Sequence, residues 1–281
     1  MGEYFITKER MNEFYNYLKL EEKEQSTIEK YLSELQSFIL WLGERSITKD
    51  VIFEWKEHLC QSNYQANTVN AKLSVLNKFI YFLGVPEYKL KYLKIQKKLF
   101  CSTEKELNKE EYRRLLKTAE EQGKIRLSLI IETICATGIR VSEVKYITVK
   151  AIQTGRADIS LKGKVRTILL PNKLCRKLIK YAKKQNITSG EIFLTKNKKG
   201  ISRRQIWAEM KALCEKANVA SSKVFPHNLR HLFARTFYCA CKDISKLADV
   251  LGHSNINTTR IYLISTGIEH TKQMEKLGLV L

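Results

Sequence analysis

Between His227 and Tyr262 the chain reads His227-Asn228-Leu229-Arg230-His231, then Leu251-Gly252-His253, then Thr258-Thr259-Arg260-Ile261-Tyr262. One tyrosine stands downstream of histidines and an arginine. A guanidinium grips a tetrahedral anion. Imidazoles shuttle protons, and a phenol supplies an oxygen nucleophile. His227 and Arg230 are three residues apart, so on a helix they share a face. Asp243 is a suitable N-cap for the next helix and Gly252 a suitable end to it, which releases His253 at a helix terminus. Asn257 then restarts a helix that carries Tyr262.

Two upstream blocks add cations. In Ala136-Thr137-Gly138-Ile139-Arg140-Val141-Ser142-Glu143, Gly138 breaks a helix running from Arg126, and Ser142 is placed to cap the next one. Arg140 then sits between helix ends, where backbone N–H groups favour anions. Glu143 is close enough to orient it, with a structural salt bridge elsewhere as the alternative. In the second block, β-like runs at Ala157–Leu161 and Val165–Leu170 flank Lys162-Gly163-Lys164, which predicts a hairpin ended by Pro171. Glu191–Leu194 is a candidate third strand. Asn108 and Glu111 have capping-box spacing ahead of a helix to about Gln122. Further helices are expected at Pro171–Gln185 and Ser202–Ala217. The second of these starts with Arg203 and Arg204, two cations beside a positive helix end, which suit a phosphate or plain solvation.

The first 86 residues read as helix throughout. Ile28, Tyr31, Leu32, Leu35, Phe38, Ile39 and Leu42 make one helical stripe, and Val69, Leu73, Leu76, Phe79, Ile80 and Leu83 make another. A shorter helix is expected from Val51 to Cys60, and Gly84-Val85-Pro86 ends the bundle. Residues 87–107 form a basic linker in which Lys89, Lys91, Lys94, Lys97, Lys98 and Lys105 alternate with Tyr88 and Tyr92. Residues 108–281 form the second domain. Its tail, 268–281, carries Ile268, Met274, Leu277, Leu279, Val280 and Leu281, and apolar groups of that kind require burial.

The 281 residues carry a formal net charge of +21, with a pI near 9.6. That field points to a polyanion, nucleic acid first, against the blander reading of a soluble basic protein. The 7 cysteines are scattered without zinc spacing, which implies a reducing compartment. Met1–Arg10 lacks an apolar signal segment, and the longest apolar stretch, Leu127–Ile139, contains Glu132 and is too short to span a bilayer. A cytoplasmic protein is expected, with no membrane partner.

The three blocks together, in the order Arg, Lys, His-x-x-Arg, His, Tyr, resemble the tyrosine recombinases, the family of phage integrases and Xer-like resolvases. The resemblance is strong over roughly 108–281 and weaker before it. It implies a mainly α fold with a small β hairpin: an N-terminal SAM-like helical core-binding domain that closes over DNA, and a mixed α+β catalytic domain. It implies a site-specific recombinase or integrase working through a 3′-phosphotyrosyl intermediate, in bacteria and associated with the nucleoid. Its partners would be double-stranded DNA and three further copies in a synaptic homotetramer, with a monomer or weak oligomer off DNA. A directionality factor is a further possible partner. The tail would pass between neighbouring protomers, or else dock on its own domain.

Residue by residue, the resemblance makes Tyr262 the nucleophile and Arg140 and Arg230 the grip on the non-bridging oxygens. His227 becomes the proton acceptor, His253 a phosphate donor and Glu143 an orienting partner. The family's lysine block is one residue longer, so either Lys162 or Lys164 protonates the leaving oxygen; Lys162, at the end of the first strand, is taken first. Lys91, Lys94, Lys97, Lys98, Lys164, Arg203 and Arg204 are expected on the DNA backbone, where contacts position without reading sequence. No metal or cofactor is required, because the arginines take a divalent ion's part. Three other readings compete. Zinc on His227, His231 and His253 lacks a partner motif. DNA binding without catalysis would leave the full residue set without a use. A nicking-closing topoisomerase would share the same chemistry.

Overall fold

A computed structural model describes residues 6–95, 105–161, 164–263 and 275–276, with only the backbone given at 161, 164, 165 and 263. The chain divides into two compact units, Met1–Lys97 and Lys98–Leu281. The three motif blocks all fall in the second.

The first unit is four helices: α1 (Lys8–Leu20), α2 (Gln25–Leu42), α3 (Lys49–Gln61) and α4 (Ala66–Phe82). Thr7 and Thr48 cap α1 and α3 with side-chain oxygens on Arg10 N and Val51 N. The predicted stripes of α2 and α4 turn inward, and the core is rich in aromatic rings. Phe14 meets Phe79 edge to face at 5.0 Å, and Phe38 meets Trp55 at 5.5 Å.

Past α4 the chain does not leave this unit at once. Asn77 donates from Nδ2 to the Leu90 carbonyl at 3.0 Å and accepts from Leu90 N at 2.9 Å. Two turns earlier on the same face of α4, Asn70 does the same with Leu93, at 3.0 and 2.8 Å. Lys56 Nζ adds a bond to the Lys91 carbonyl at 2.8 Å. Two carboxamides seven residues apart thus imitate rungs of a β-ladder and hold residues 89–94 extended along the helix. Leu90 is buried, while Lys91, Tyr92 and Lys94 are exposed. Lys97 and Lys98 lie outside the described residues.

In the second unit α5 (Lys109–Glu121) opens on the expected capping box, with Asn108 and Glu111 each bonded to the other's backbone. α6 (Ile125–Thr137) is buried along most of its length. It is followed by a 3₁₀ turn at Val141–Tyr146, α7 (Val149–Thr154), the hairpin β1 (Arg156–Leu161) and β2 (Lys164–Leu169), α8 (Asn172–Lys184) and α9 (Arg203–Lys211). Then come α10 (Pro226–Cys241), α11 (Ile244–Leu251) and α12 (Ile256–Arg260). The hairpin is antiparallel, with Ala157 opposite Ile168 and Ile159 opposite Arg166. Ala157, Ile159 and Ile168 are buried, so the same face of β2 carries Arg166.

Three local readings differ from the structure. Glu191 and Leu194 make isolated bridges to Thr148 and Gly200 rather than a third strand. α9 ends at Lys211, after which Leu213 and Cys214 bond three residues back and the chain tightens into turns. Asn255, not Asn257, caps α12. No described helix is long and apolar enough to cross a membrane.

Candidate active site

Gly138 ends α6 at φ 66°, in the left-handed region. A Cβ there would come within 2.4 Å of the Phe233 ring, so both the conformation and the fit of α10 against α6 require glycine. The turn leaves the Gly138 carbonyl free of its helix and puts Arg140 at the cap of the 3₁₀ turn, the place that Ser142 had been expected to take. Glu143 accepts from Arg140 N at 2.7 Å and from Arg140 Nη1 at 3.1 Å. Glu143 is buried, whereas the Arg140 side chain is 44% exposed. One end of Arg140 is therefore anchored on a buried carboxylate while its side chain keeps access to solvent.

Arg230, one turn into α10, is 1% exposed. Its Nη1 donates to the Gly138 carbonyl at 2.5 Å and its Nη2 to the Leu251 carbonyl at 2.8 Å. Leu251 is the last residue of α11, and Gly252, left-handed at φ 64°, turns the chain away. Orphan carbonyls at a helix end suit a cation. Asp243 caps the other end of α11 through Ser245 N and Lys246 N, as expected. Burial, opposed by its bond to Tyr262, and the neighbouring Arg140 and Arg166 hold the Arg230 pKa below the ordinary arginine value. The side chain stays a cation, since arginine is not deprotonated in proteins.

The Arg230 guanidinium also contacts Tyr262 and His253. Nε donates to the Tyr262 hydroxyl at 3.4 Å, a long bond, and Nη2 meets His253 Nε2 at 2.8 Å. Arginine only donates, so His253 Nε2 accepts, and the ring proton is assigned to Nδ1, which lies 2.8 Å from Thr259 Oγ1. Burial first, then Arg230, Arg140, Arg166 and His227, push the His253 pKa down to about 4, which fits a neutral ring with that tautomer. Tyr262 is 6% exposed. It stacks on His253 with 5.7 Å between centroids and lies edge to face with His231 at 4.3 Å. His227, in the first turn of α10, is 5.8 Å from it, ring to ring. Burial, then Arg230 and Arg140, lower the His227 pKa, which favours the neutral ring.

Arg140, Glu143, His227, Arg230, His253 and Tyr262 thus converge, though they are drawn from blocks far apart in the chain. Lys162 lies outside the described residues, and of Lys164 only the backbone is described, so neither is placed against this cluster. Arg203 and Arg204 border an open groove of about 500 Å³ together with Val141, Trp207, Phe225, Pro226 and His227, which sets both arginines beside the site. Lys91 and Lys94 belong to the first unit. The tail 268–281 lies outside the described residues apart from 275–276. Among the described residues no group of three His, Cys, Asp or Glu side chains is arranged to hold a metal ion.

The sequence reading missed two participants. Thr259, fully buried, fixes the His253 tautomer; its place three residues before Tyr262 gave no signal. Arg166 bonds Glu143 Oε2 and the Leu251 carbonyl. Strand alternation with Ile168 put this cation on the buried face, and a charge so placed was the available signal.

The sequence profile of the phage integrase family matches residues 105–267, and that of the phage integrase N-terminal SAM-like domain matches residues 11–84. The tyrosine recombinase XerA of Pyrococcus furiosus is 31% identical over 183 residues, 63% of each chain. The tyrosine recombinase XerD of Brucella suis is 33% identical over 147 residues, 49% of this chain and 48% of that one. The chain therefore spans between about half and just under two thirds of these relatives' length. A crystal structure of a lambda integrase tetramer bound to a Holliday junction superposes with a TM-score of 0.72 at 16% identity, covering 90% of this chain and 76% of that one. At that identity the likeness concerns the fold.

Proposed function

The chain belongs to the phage integrase family, and on that premise we propose that it is a site-specific DNA strand transferase whose nucleophile is Tyr262. The Tyr262 oxygen attacks the scissile phosphorus and its proton passes to His227. The bond to the 5′ oxygen breaks, leaving a 3′-phosphotyrosyl ester and a 5′ hydroxyl, and the proton that hydroxyl needs comes from Lys162. Attack by a second 5′ hydroxyl reverses the steps on a new partner strand, so the phosphodiester energy is kept in the ester. Arg140 and Arg230 stabilise the charge of the pentacoordinate state, and they make a divalent ion unnecessary. Glu143 holds Arg140 and His253 holds Arg230.

The observation that carries this reading is Arg230: a buried cation whose one guanidinium contacts the Tyr262 hydroxyl, His253 and the carbonyl that follows α6. The partner is duplex DNA, bound by Lys91, Lys94, Arg203 and Arg204 among others. The active form is a homotetramer, as the family likeness suggests, and a directionality factor would act on that assembly. The test is trapping on nicked duplexes in the presence of EDTA. The wild-type chain gives a covalent adduct that maps to Tyr262, and Tyr262→Phe binds the same duplex without forming one. A metal requirement, or an adduct on another tyrosine, overturns the reading.

A further inference from the structure

Arg166 has no part in the steps above, yet it touches both halves of the grip. Its Nη2 bonds Glu143 Oε2, the carboxylate that also receives Arg140 N and Nη1. Its Nη1 bonds the Leu251 carbonyl, which also receives Arg230 Nη2. Each acceptor is thus shared with one of the two arginines assigned to the phosphate. The Arg166 side chain is only 18% exposed, and its Nε is buried with no hydrogen-bond partner among the described residues. Gly252 belongs to the same arrangement: a Cβ there would lie 2.4 Å from Arg166 Nη1, so only glycine lets the guanidinium reach the end of α11.

We propose that Arg166 is a positioning residue that fixes the separation of Arg140 and Arg230 by sharing one acceptor with each. The inference rests on the reading of those two arginines as the phosphate grip. Two guanidiniums that converge on one phosphate repel each other, and Arg140 sits on a 3₁₀ turn while Arg230 sits on α10. The two share no acceptor: Arg140 bonds Glu143, while Arg230 bonds the Gly138 and Leu251 carbonyls, His253 and the Tyr262 hydroxyl. Arg166, standing on a third element, β2, joins Glu143 and the Leu251 carbonyl with a single rigid plane. A planar fork with donors on both ends serves two acceptors at once; a lysine ammonium is a point charge on a flexible stem and does not hold both in a fixed geometry. Arg166 also adds positive charge beside the site, so charge and bridging must be separated experimentally.

The substrate for the test is a nicked duplex selected from a randomised pool by the wild-type chain, and the readout is single-turnover formation of the Tyr262 adduct. Arg166→Lys, which keeps the charge, and Arg166→Gln, which does not, both lower the cleavage rate at saturating DNA by about 10²-fold, the scale expected for an ångström of misplacement. The Kd for the same duplex changes by no more than about threefold, since the phosphate contacts of the rest of the chain remain. Arg166→Ala is rescued at least tenfold (about 1.4 kcal/mol in barrier) by added guanidinium, and not by methylammonium. A residue needed only for folding would instead reduce the fraction of active protein, read as burst amplitude, at an unchanged rate and without rescue. Circular dichroism on every variant checks the fold, and the lysine and glutamine variants carry the test if the alanine variant does not fold. Cleavage by Arg166→Lys at the wild-type rate, or loss of amplitude alone, overturns the proposal. Absence of any Tyr262 adduct from the wild-type chain overturns the functional reading itself, and this proposal with it.

Discussion

Among the described residues the first unit buries one polar side chain, Asn77, whereas the second buries nine, including Glu111, Asn228, Glu143, Arg230 and Thr259. Both units have well-filled apolar cores, so the contrast is not one of core size. Asn77 holds backbone: its carboxamide meets one N–H and one C=O, and nothing charged is involved. In the second unit Arg230 and Glu143 bring charge inside, where desolvation is costly and stability is poorly served. Polar burial in the first unit fixes a strand-like segment; in the second it fixes the direction of the Arg140 and Arg230 donors.

The strongest way to break this contrast is to empty the buried charge. Arg230→Met leaves the Gly138 carbonyl without its side-chain donor, at about 1–3 kcal/mol for an unsatisfied group, and the Leu251 carbonyl with Arg166 alone. It also abolishes adduct formation. Hydrogen exchange read by segment should show the second unit opening more readily and the first unchanged. Equal protection in both units would mean that Arg230 serves chemistry alone.

Acid sharpens the same contrast by a smaller amount. Burial pushes His231, like His253, down to about 4. A ring whose folded pKa lies below its unfolded value of 6.5 takes up protons first in the unfolded chain. Its stabilising contribution is therefore whole above pH 6.5 and falls as pH drops towards 4. Between pH 6.5 and 5 each ring is worth at most on the order of 2 kcal/mol. The carboxylates with lowered pKa, Glu9 and Glu21 in the first unit and Glu111 in the second, lose their contributions only at lower pH. Urea unfolding followed by segmental exchange at pH 7 and pH 5 should thus show the second unit weakening and the first nearly constant. Equal weakening of both would refute the assignment to His231 and His253.

The smallest effect lies in the first unit. Asn77→Ala removes both bonds to Leu90 and costs about 1–3 kcal/mol of local stability. Amide exchange at residues 89–95 should quicken while the second unit and the adduct yield per bound chain stay as they were. A fall in protection throughout α4 would show instead that Asn77 supports the whole bundle.

Features written in short stretches were legible in the sequence. The stripes of α2 and α4, the capping box of Asn108 and Glu111, and the two left-handed glycines at 138 and 252 each depend on residues within a few positions of one another. The order of the motif blocks was legible for the same reason, and it named most of the side chains that meet around Tyr262. What stayed hidden depends on pairs distant in the chain. Arg166 finds the Glu143 carboxylate across a long stretch of chain, and it finds Leu251, as Asn70 finds Leu93, through backbone groups that carry no residue-type signal. Strand parity marked Arg166 as inward without marking its partners. The tautomer of His253 required Thr259 to be seen in place.

The Asn70 and Asn77 rungs have one more consequence, for reach. With the chain held on α4 as far as Leu93, and described to residue 95, the next described residue is 105. From Leu93, the last residue so held, twelve peptide steps reach residue 105 and span at most about 43 Å however they run. A tether counted from the end of α4 would have been nearly twice as long. A ligand that engaged both units would meet the second at the local concentration expected of a short linker, about millimolar. Two carboxamides on α4 thus take roughly half the length out of that tether.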